Sequence, residues 1–176
     1  MRLLLALLVA APGLAFAAGD EDSTPPKPTD TTKTCLFGRV WDAEKQKCVK
    51  PEKSSMDTDG LYDAARELAY AGRYEDAQGV LRVMPDQNDD RVLTYWGFTH
   101  RKLGNLTLAN AFYEQAIKTN PDNILARSYM GQGYVEEGRT DMAVAQWREI
   151  VARGGTGTWA EESLRKAIKS GMTFSY

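Results

Sequence analysis

The chain is poor in the residues that chemistry most often uses. It has one histidine, His100, and two cysteines, Cys35 and Cys48, in 176 residues. A lone imidazole, with no Gly-x-Ser-x-Gly turn and no glycine-rich phosphate loop, leaves nucleophilic or phosphoryl-transfer catalysis without its parts. The reading is a protein that is not an enzyme. Zinc would need more cysteine and histidine ligands, and a redox dithiol would need C-x-x-C, so neither a metal nor a cofactor is expected. Charge of one sign is also scarce: the formal net charge is −2 and the pI near 5.5, which argues for neither nucleic acid nor an anionic membrane surface as partner. Beyond the first residues, no apolar run approaches the roughly 20 residues of a spanning helix.

What is present begins at the N-terminus. Met1-Arg2 leads into the apolar run Leu3 to Ala11, then Pro12-Gly13 and Ala15-Phe16-Ala17. That order of charged start, apolar core and small-residue site reads as a signal peptide over 1–17, cleaved after Ala17. The expectation is an exported chain, periplasmic first and secreted second, with no membrane span after cleavage. In such a compartment an even pair of cysteines is read as a disulfide, and closing a loop of this size should stabilise it by about 3 kcal/mol. Residues 18–34, with Pro25, Pro26 and Pro28 and almost nothing apolar, read as a disordered Pro/Thr-rich linker. Residues 35–49 read as a disulfide-closed hairpin, and 50–57 as a second, polar linker.

The rest is periodic. Gly72, Gly104 and Gly138 each close one amphipathic stretch and open another, at spacings of 32 and 34 residues. Apolar residues recur at helical spacing around them: Leu61, Ala64, Ala65 and Leu68 before Gly72, then Ala77, Val80, Leu81 and Met84. The second unit has Leu93, Trp96, Gly97 and His100, then Leu108, Ala109, Phe112, Tyr113, Ala116 and Ile117. The third has Met130, Gly131 and Tyr134, then Met142, Ala143, Trp147 and Ile150. A period near 34 is what two short helices and their turns require. Small residues at 97, 109, 131 and 143 are expected to let backbones approach, and Tyr113, Tyr134 and Trp147 to fill the wedges between units. Thr158 to Ser170 reads as a closing helix. Trp159, Leu164, Ala167 and Ile168 face inward, and Glu161, Glu162, Arg165, Lys166 and Lys169 form a solvated face with Glu161/Arg165 and Glu162/Lys166 pairs.

Trp96-Gly97-x-x-His100, Ala109-x-x-x-Tyr113 and Pro121, then Met130-Gly131-x-x-Tyr134 and Ala143-x-x-x-Trp147, resemble the tetratricopeptide repeat family. The resemblance covers about two thirds of the chain, with the first unit degenerate and cut short by Pro85. It implies an all-α fold, a right-handed solenoid of three helical-hairpin repeats over 58–89, 90–123 and 124–157, with a capping helix over 158–171. It also implies binding on the concave surface made by the first helix of each repeat. The outward positions there would be Tyr62, Arg66, Tyr70, Arg91, Thr94, Phe98, Arg101, Lys102, Ser128 and Gln132. Aromatic plates beside guanidinium groups suit a protein or peptide segment carrying carboxylates. The carboxylate clamp of the family is not reproduced, since Tyr62, Arg66, Tyr95 and Tyr129 stand where its Lys, Asn and Arg groups would fall.

The expected function is therefore a non-catalytic adaptor of the bacterial cell envelope. The alternative places the activity in the Cys35–Cys48 loop, as a carbohydrate- or cell-wall-binding element using Phe37 and Trp41, with the repeats as spacer. The run around those residues bears a partial resemblance to peritrophin-type chitin-binding motifs, with two cysteines where that domain has six. His100 is expected to pack in the core in place of the family's Tyr. Asp86, Asp89 and Asp90 are expected in a turn rather than on calcium, and Asn105-Leu106-Thr107, a glycosylation pattern, at a helix start.

Overall fold

The three glycine turns close their helices in one and the same way. Gly72 has φ +76°, and its N–H donates to Ala69 O at 3.2 Å while that of Arg73 donates to Leu68 O at 2.9 Å. Gly104 and Asn105 repeat the pattern on Arg101 O and His100 O, and Gly138 and Arg139 on Val135 O and Tyr134 O. This is the left-handed C-terminal cap in which a Cβ would clash, hence glycine. Each turn reverses the chain within a few residues, so the helices fall into pairs.

The structure, a computed structural model, describes residues 25–173. The leader assigned to 1–17, the first part of the linker at 18–24 and residues 174–176 lie outside the described residues. After helix α1 (Asp30–Lys33) come strands β1 (Val40–Asp42) and β2 (Lys47–Val49) and a 3-10 turn at Pro51–Lys53. The body then runs α2 (Thr58–Tyr70), α3 (Tyr74–Leu81), α4 (Asp90–Lys102), α5 (Leu106–Thr119), α6 (Ile124–Glu136), α7 (Thr140–Ala152) and α8 (Trp159–Ser170). Each body helix packs on its chain neighbours, and α2, α4, α6 and α8 also pack in series. The architecture is mainly helical and repeat-like, with one small antiparallel hairpin.

Starts are set by side-chain caps. Asp57, Asp89, Asn105, Asn123 and Thr158 each accept from a backbone N–H in the first turn of α2, α4, α5, α6 and α8, which satisfies a donor the helix leaves over. Asp89 and Asn105 are thus helix caps. The short α3 ends four residues before Pro85, whose ring disfavours helical backbone in the residue ahead of it.

Two notches fix how the helices sit. A Cβ built at Gly97 would lie 2.5 Å from Tyr113 Cε1, so the fully buried Tyr113 ring occupies the space a side chain would need. At Gly131 the equivalent space is taken by Leu164 of α8, 2.6 Å from the built Cβ. Trp147, expected to fill a wedge, is instead half-buried and donates from Nε1 to Glu161 at 2.7 Å. Glu161 is accordingly 5% exposed, not part of the solvated face, although it also holds Arg165 at 3.1 Å. His100 is half-buried in a cluster of three rings, 5.8 Å from Trp96 and 5.6 Å from Phe112, which are themselves 5.7 Å apart. Burial lowers its pKa.

The segment before α2 departs from the linker expectation. Cys35 and Cys48 are disulfide-bonded, and β1 pairs with β2 in the register Val40/Val49, Trp41/Cys48 and Asp42/Lys47. Residues 29–34, expected to be disordered, form a helical turn clamped to α2. The buried Glu67 carboxylate accepts from Thr29 N at 2.7 Å, Thr29 Oγ1 at 2.6 Å, Thr32 N at 3.1 Å and the Thr32 hydroxyl. Arg73 adds a bond from Nη1 to Cys35 O at 2.8 Å. The second linker is also anchored. Asp42, fully buried, accepts from Lys45 Nζ, Lys45 N, Ser55 N and Ser55 Oγ, all within 2.9 Å. The side-chain bond from Lys45 leads the causes that hold its carboxyl well below the usual range. The disulfide module therefore packs on the first helical pair.

Candidate functional site

The face built from α2, α4 and α6 carries the candidate residues, and one side-chain class dominates it. Tyr62 meets Tyr95 at 5.7 Å, Tyr95 meets Tyr129 at 6.4 Å, Phe98 meets Tyr129 at 4.8 Å and Tyr129 meets Trp159 at 5.9 Å between ring centroids. Tyr70 joins through Phe98 at 5.8 Å and through a hydrogen bond between its hydroxyl and that of Tyr129. Edge-on and tilted ring pairs of this kind are each favourable beyond their buried area. The result is a closed aromatic seam running across the helices.

Closure changes the status of the predicted positions. Of the ten, Tyr62, Arg66, Thr94, Phe98, Arg101, Ser128 and Gln132 are buried, and Tyr70, Arg91 and Lys102 are half-buried. The outward orientation expected for the first seven is thus not what the structure has. The physical reason differs along the face. Thr94 returns its hydroxyl to Asp90 O at 2.6 Å and accepts from Asn123. Ser128 donates to Ala160 O at 2.7 Å and lies 3.2 Å from Ser163 Oγ, which Gln132 approaches at 3.4 Å. These two polar residues lock α8 onto α6, and so belong to the capping contact.

Each arginine on this face already lies against a carboxylate. Arg66 donates from Nε to Tyr95 Oη at 3.2 Å and lies 3.8 Å from Asp63. Arg91 stacks on Tyr62 at 4.8 Å and pairs with Asp89 at 3.0 Å and Asp59 at 3.4 Å. The hydrogen bond to Asp89 is the main cause of its raised pKa; on Asp89, burial opposes and the bonds from Arg91 prevail, leaving its pKa lowered. Arg101, buried, holds Glu136 at 2.6 Å through Nη1, while its Nε and Nη2 and the hydroxyl of Tyr113 lack a hydrogen-bond partner among the described residues. Lys102 sits 5.7 Å above the Phe98 ring, its pKa lowered by burial and then by Arg101. Burial raises the pKa of Tyr129.

Both ends of the described chain reach this face. Clefts of about 300 and 340 Å³ lie between the Pro25–Pro28 segment and α2, bordered by Arg66 and Tyr70. At the other end Thr173 donates to Glu136 at 2.6 Å. Sequence reasoning missed Glu67 and Glu136, whose partners lie 35 to 38 residues away, and it noted Tyr95 and Tyr129 only as departures from the clamp. The signal for the two tyrosines was available: they are 34 residues apart, each just before the Trp-Gly or Met-Gly pair.

On the disulfide module, Phe37 is 92% exposed with φ +55°, and Leu36 is 63% exposed, while Trp41 is half-buried. A separate depression of about 390 Å³ on this module is lined by Arg39, Lys45, Lys47, Val49, Lys50 and Lys53.

No family model matches the chain. Over 106 residues it is 29% identical to the Phagocyte signaling-impaired protein of Drosophila pseudoobscura pseudoobscura, a stretch that makes up 58% of this chain and 11% of that protein. The chain spans about a tenth of the length of the relative it matches.

Proposed function

We propose that the protein is an exported, non-catalytic interaction module of the bacterial envelope, built as a right-handed tetratricopeptide-like solenoid, which receives a protein segment on the face of α2, α4 and α6. The observation that carries this reading is the threefold repeat of one glycine cap, at 72, 104 and 138, joined to the serial packing of α2, α4, α6 and α8. Stacked hairpins of this kind present an extended side rather than a pocket. A disulfide and the lack, among the described residues, of any helix long and apolar enough to cross a membrane agree with export; the periplasm is the compartment we propose.

On this reading, the closed seam limits what a partner would meet. Arg66, Arg91 and Arg101 each have a carboxylate of their own, so an acidic segment would exchange partners with Arg91 rather than meet a vacant charge, and surface exchange of that sort contributes little. Area on the half-buried Tyr70 and the ends of Arg91 and Lys102 would supply the contact. The test is selection from a displayed random-peptide library, with the Arg91→Gln, Lys102→Gln protein as competitor, which removes both charges without setting a carboxylate against Asp89 and Asp59. Arg101 is left intact, because it is buried and holds Glu136. Acidic peptides enriched by the parent and weakened severalfold by the double variant support the reading, since surface pairs of this kind are worth up to about 1 kcal/mol. Enrichment indifferent to the variant overturns this face as the site.

A further inference from the structure

The disulfide module concentrates charge that the whole chain hides. Between Lys33 and Lys53 stand six cations, at 33, 39, 45, 47, 50 and 53, against three carboxylates, at 42, 44 and 52. That segment is net +3 in a chain of net −2. Five of the six cations line the 390 Å³ depression, together with the apolar Val49.

Their pairing leaves most of this charge outward. Lys45 is committed to the buried Asp42 and to Lys53 O at 2.7 Å, and Lys50 reaches Glu52 only at 4.0 Å with both side chains at least half exposed. Arg39, Lys47 and Lys53 pair with no carboxylate among the described residues. A ring of cations around an open depression favours an anionic group such as a phosphate. A neutral sugar would need directed acceptors and donors instead.

Beside this ring stands the most exposed apolar pair of the described chain. Arg39 N–H bonds Leu36 O at 3.3 Å, closing the turn that displays Leu36 and Phe37. Phe37 lies two residues before Arg39, so the aromatic side chain starts within about 7 Å of the cationic rim along the chain. The disulfide and the Arg73 bond to Cys35 O hold that turn in place. Apolar side chains displayed next to a cluster of lysine and arginine are the two signals by which a peripheral segment holds an anionic lipid surface.

We infer that the Cys35–Cys48 module is a peripheral anchor for anionic phospholipid, with Leu36 and Phe37 entering the acyl boundary and Arg39, Lys47, Lys50 and Lys53 on the phosphates. The anchor is independent of the helical face and would hold even if no partner segment binds there.

The experiment is vesicle co-sedimentation of the protein produced by export from its own sequence, so that any processing of the leader has already taken place. Vesicles of phosphatidylcholine alone are compared with vesicles containing phosphatidylglycerol, at about 0.1 M and about 1 M salt, where the Debye length falls from about 10 Å to about 3 Å. The expected result is binding to the anionic vesicles only, lost at high salt. Lys47→Glu with Lys50→Glu should weaken it at least about tenfold, since each cation near an anionic surface is worth about a factor of five. Leu36→Ser with Phe37→Ser should weaken it severalfold at constant salt dependence. All four side chains are exposed, so these variants keep the fold, which circular dichroism and the intact disulfide would verify. Failure to bind anionic vesicles, binding unchanged by both double variants, or retention on insoluble peptidoglycan without vesicle binding would each overturn the proposal.

Discussion

Residues 25–57 and the helical body that follows are held by different kinds of contact. The body is organised by apolar notches: Tyr113 over Gly97, Leu164 over Gly131, and a seam of rings from Tyr62 to Trp159. The N-terminal module has little apolar interior beyond Val40 and Cys35 and depends on a disulfide and two buried carboxylates, Asp42 and Glu67. Apolar packing repeats and therefore propagates along a chain. A carboxylate clamp satisfies a fixed set of donors and ends there. The first stacks helices in series, and the second attaches one small element to them.

The largest expected effect lies in the body. Gly97→Leu would drive a side chain into the buried Tyr113 ring, and overpacking of this severity costs above about 3 kcal/mol. Chemical denaturation should show a lowered midpoint for α4 and α5 together, the two helices this notch joins. If only α4 were affected, the notch would not be the coupling within the pair. Next is the double change Cys35→Ser, Cys48→Ser, worth about 3 kcal/mol for a loop of this length. Hydrogen exchange should show amides 35–49 losing protection while α5 to α7 keep theirs. Equal loss in both would mean that module and body unfold as one unit, and the contrast drawn between them would fail. Glu67→Ala should follow at about 2 kcal/mol, the cost of leaving clustered donors from Thr29 and Thr32 without their acceptor. Protease cleavage within 25–34 should rise in that variant, with the helical body's own midpoint little changed.

The same contrast explains what was legible beforehand. Helix positions and the glycine caps follow from spacing alone, because the 3.6-residue period and the left-handed turn are local properties. The disulfide was legible from cysteine number. The anchoring of 25–34 and 50–57 was not, since Thr29 and Thr32 look like linker residues until Glu67, 38 and 35 positions on, is brought against them. Burial of the candidate face was hidden for a related reason. Outward positions on an isolated hairpin are covered when α8 arrives on Ser128 and Gln132 and when the rings of neighbouring first helices meet.

The smallest expected effect is the sharpest on this point, because it opposes a second helical glycine to the first. Gly79 lies inside α3, and a Cβ built there meets nothing within 4 Å. Gly79→Ala should therefore stabilise the protein, by up to about 1 kcal/mol, through the smaller entropy that alanine loses in a helix. Both glycines sit within amphipathic stretches of the sequence, yet substitution is expected to have opposite signs at the two. A thermal midpoint that falls in Gly79→Ala would mean that α3 is packed more tightly than its surroundings indicate. The first repeat would then be a full member of the array, despite its short second helix, and the boundary between clamp-held and notch-held regions would move toward the N-terminus.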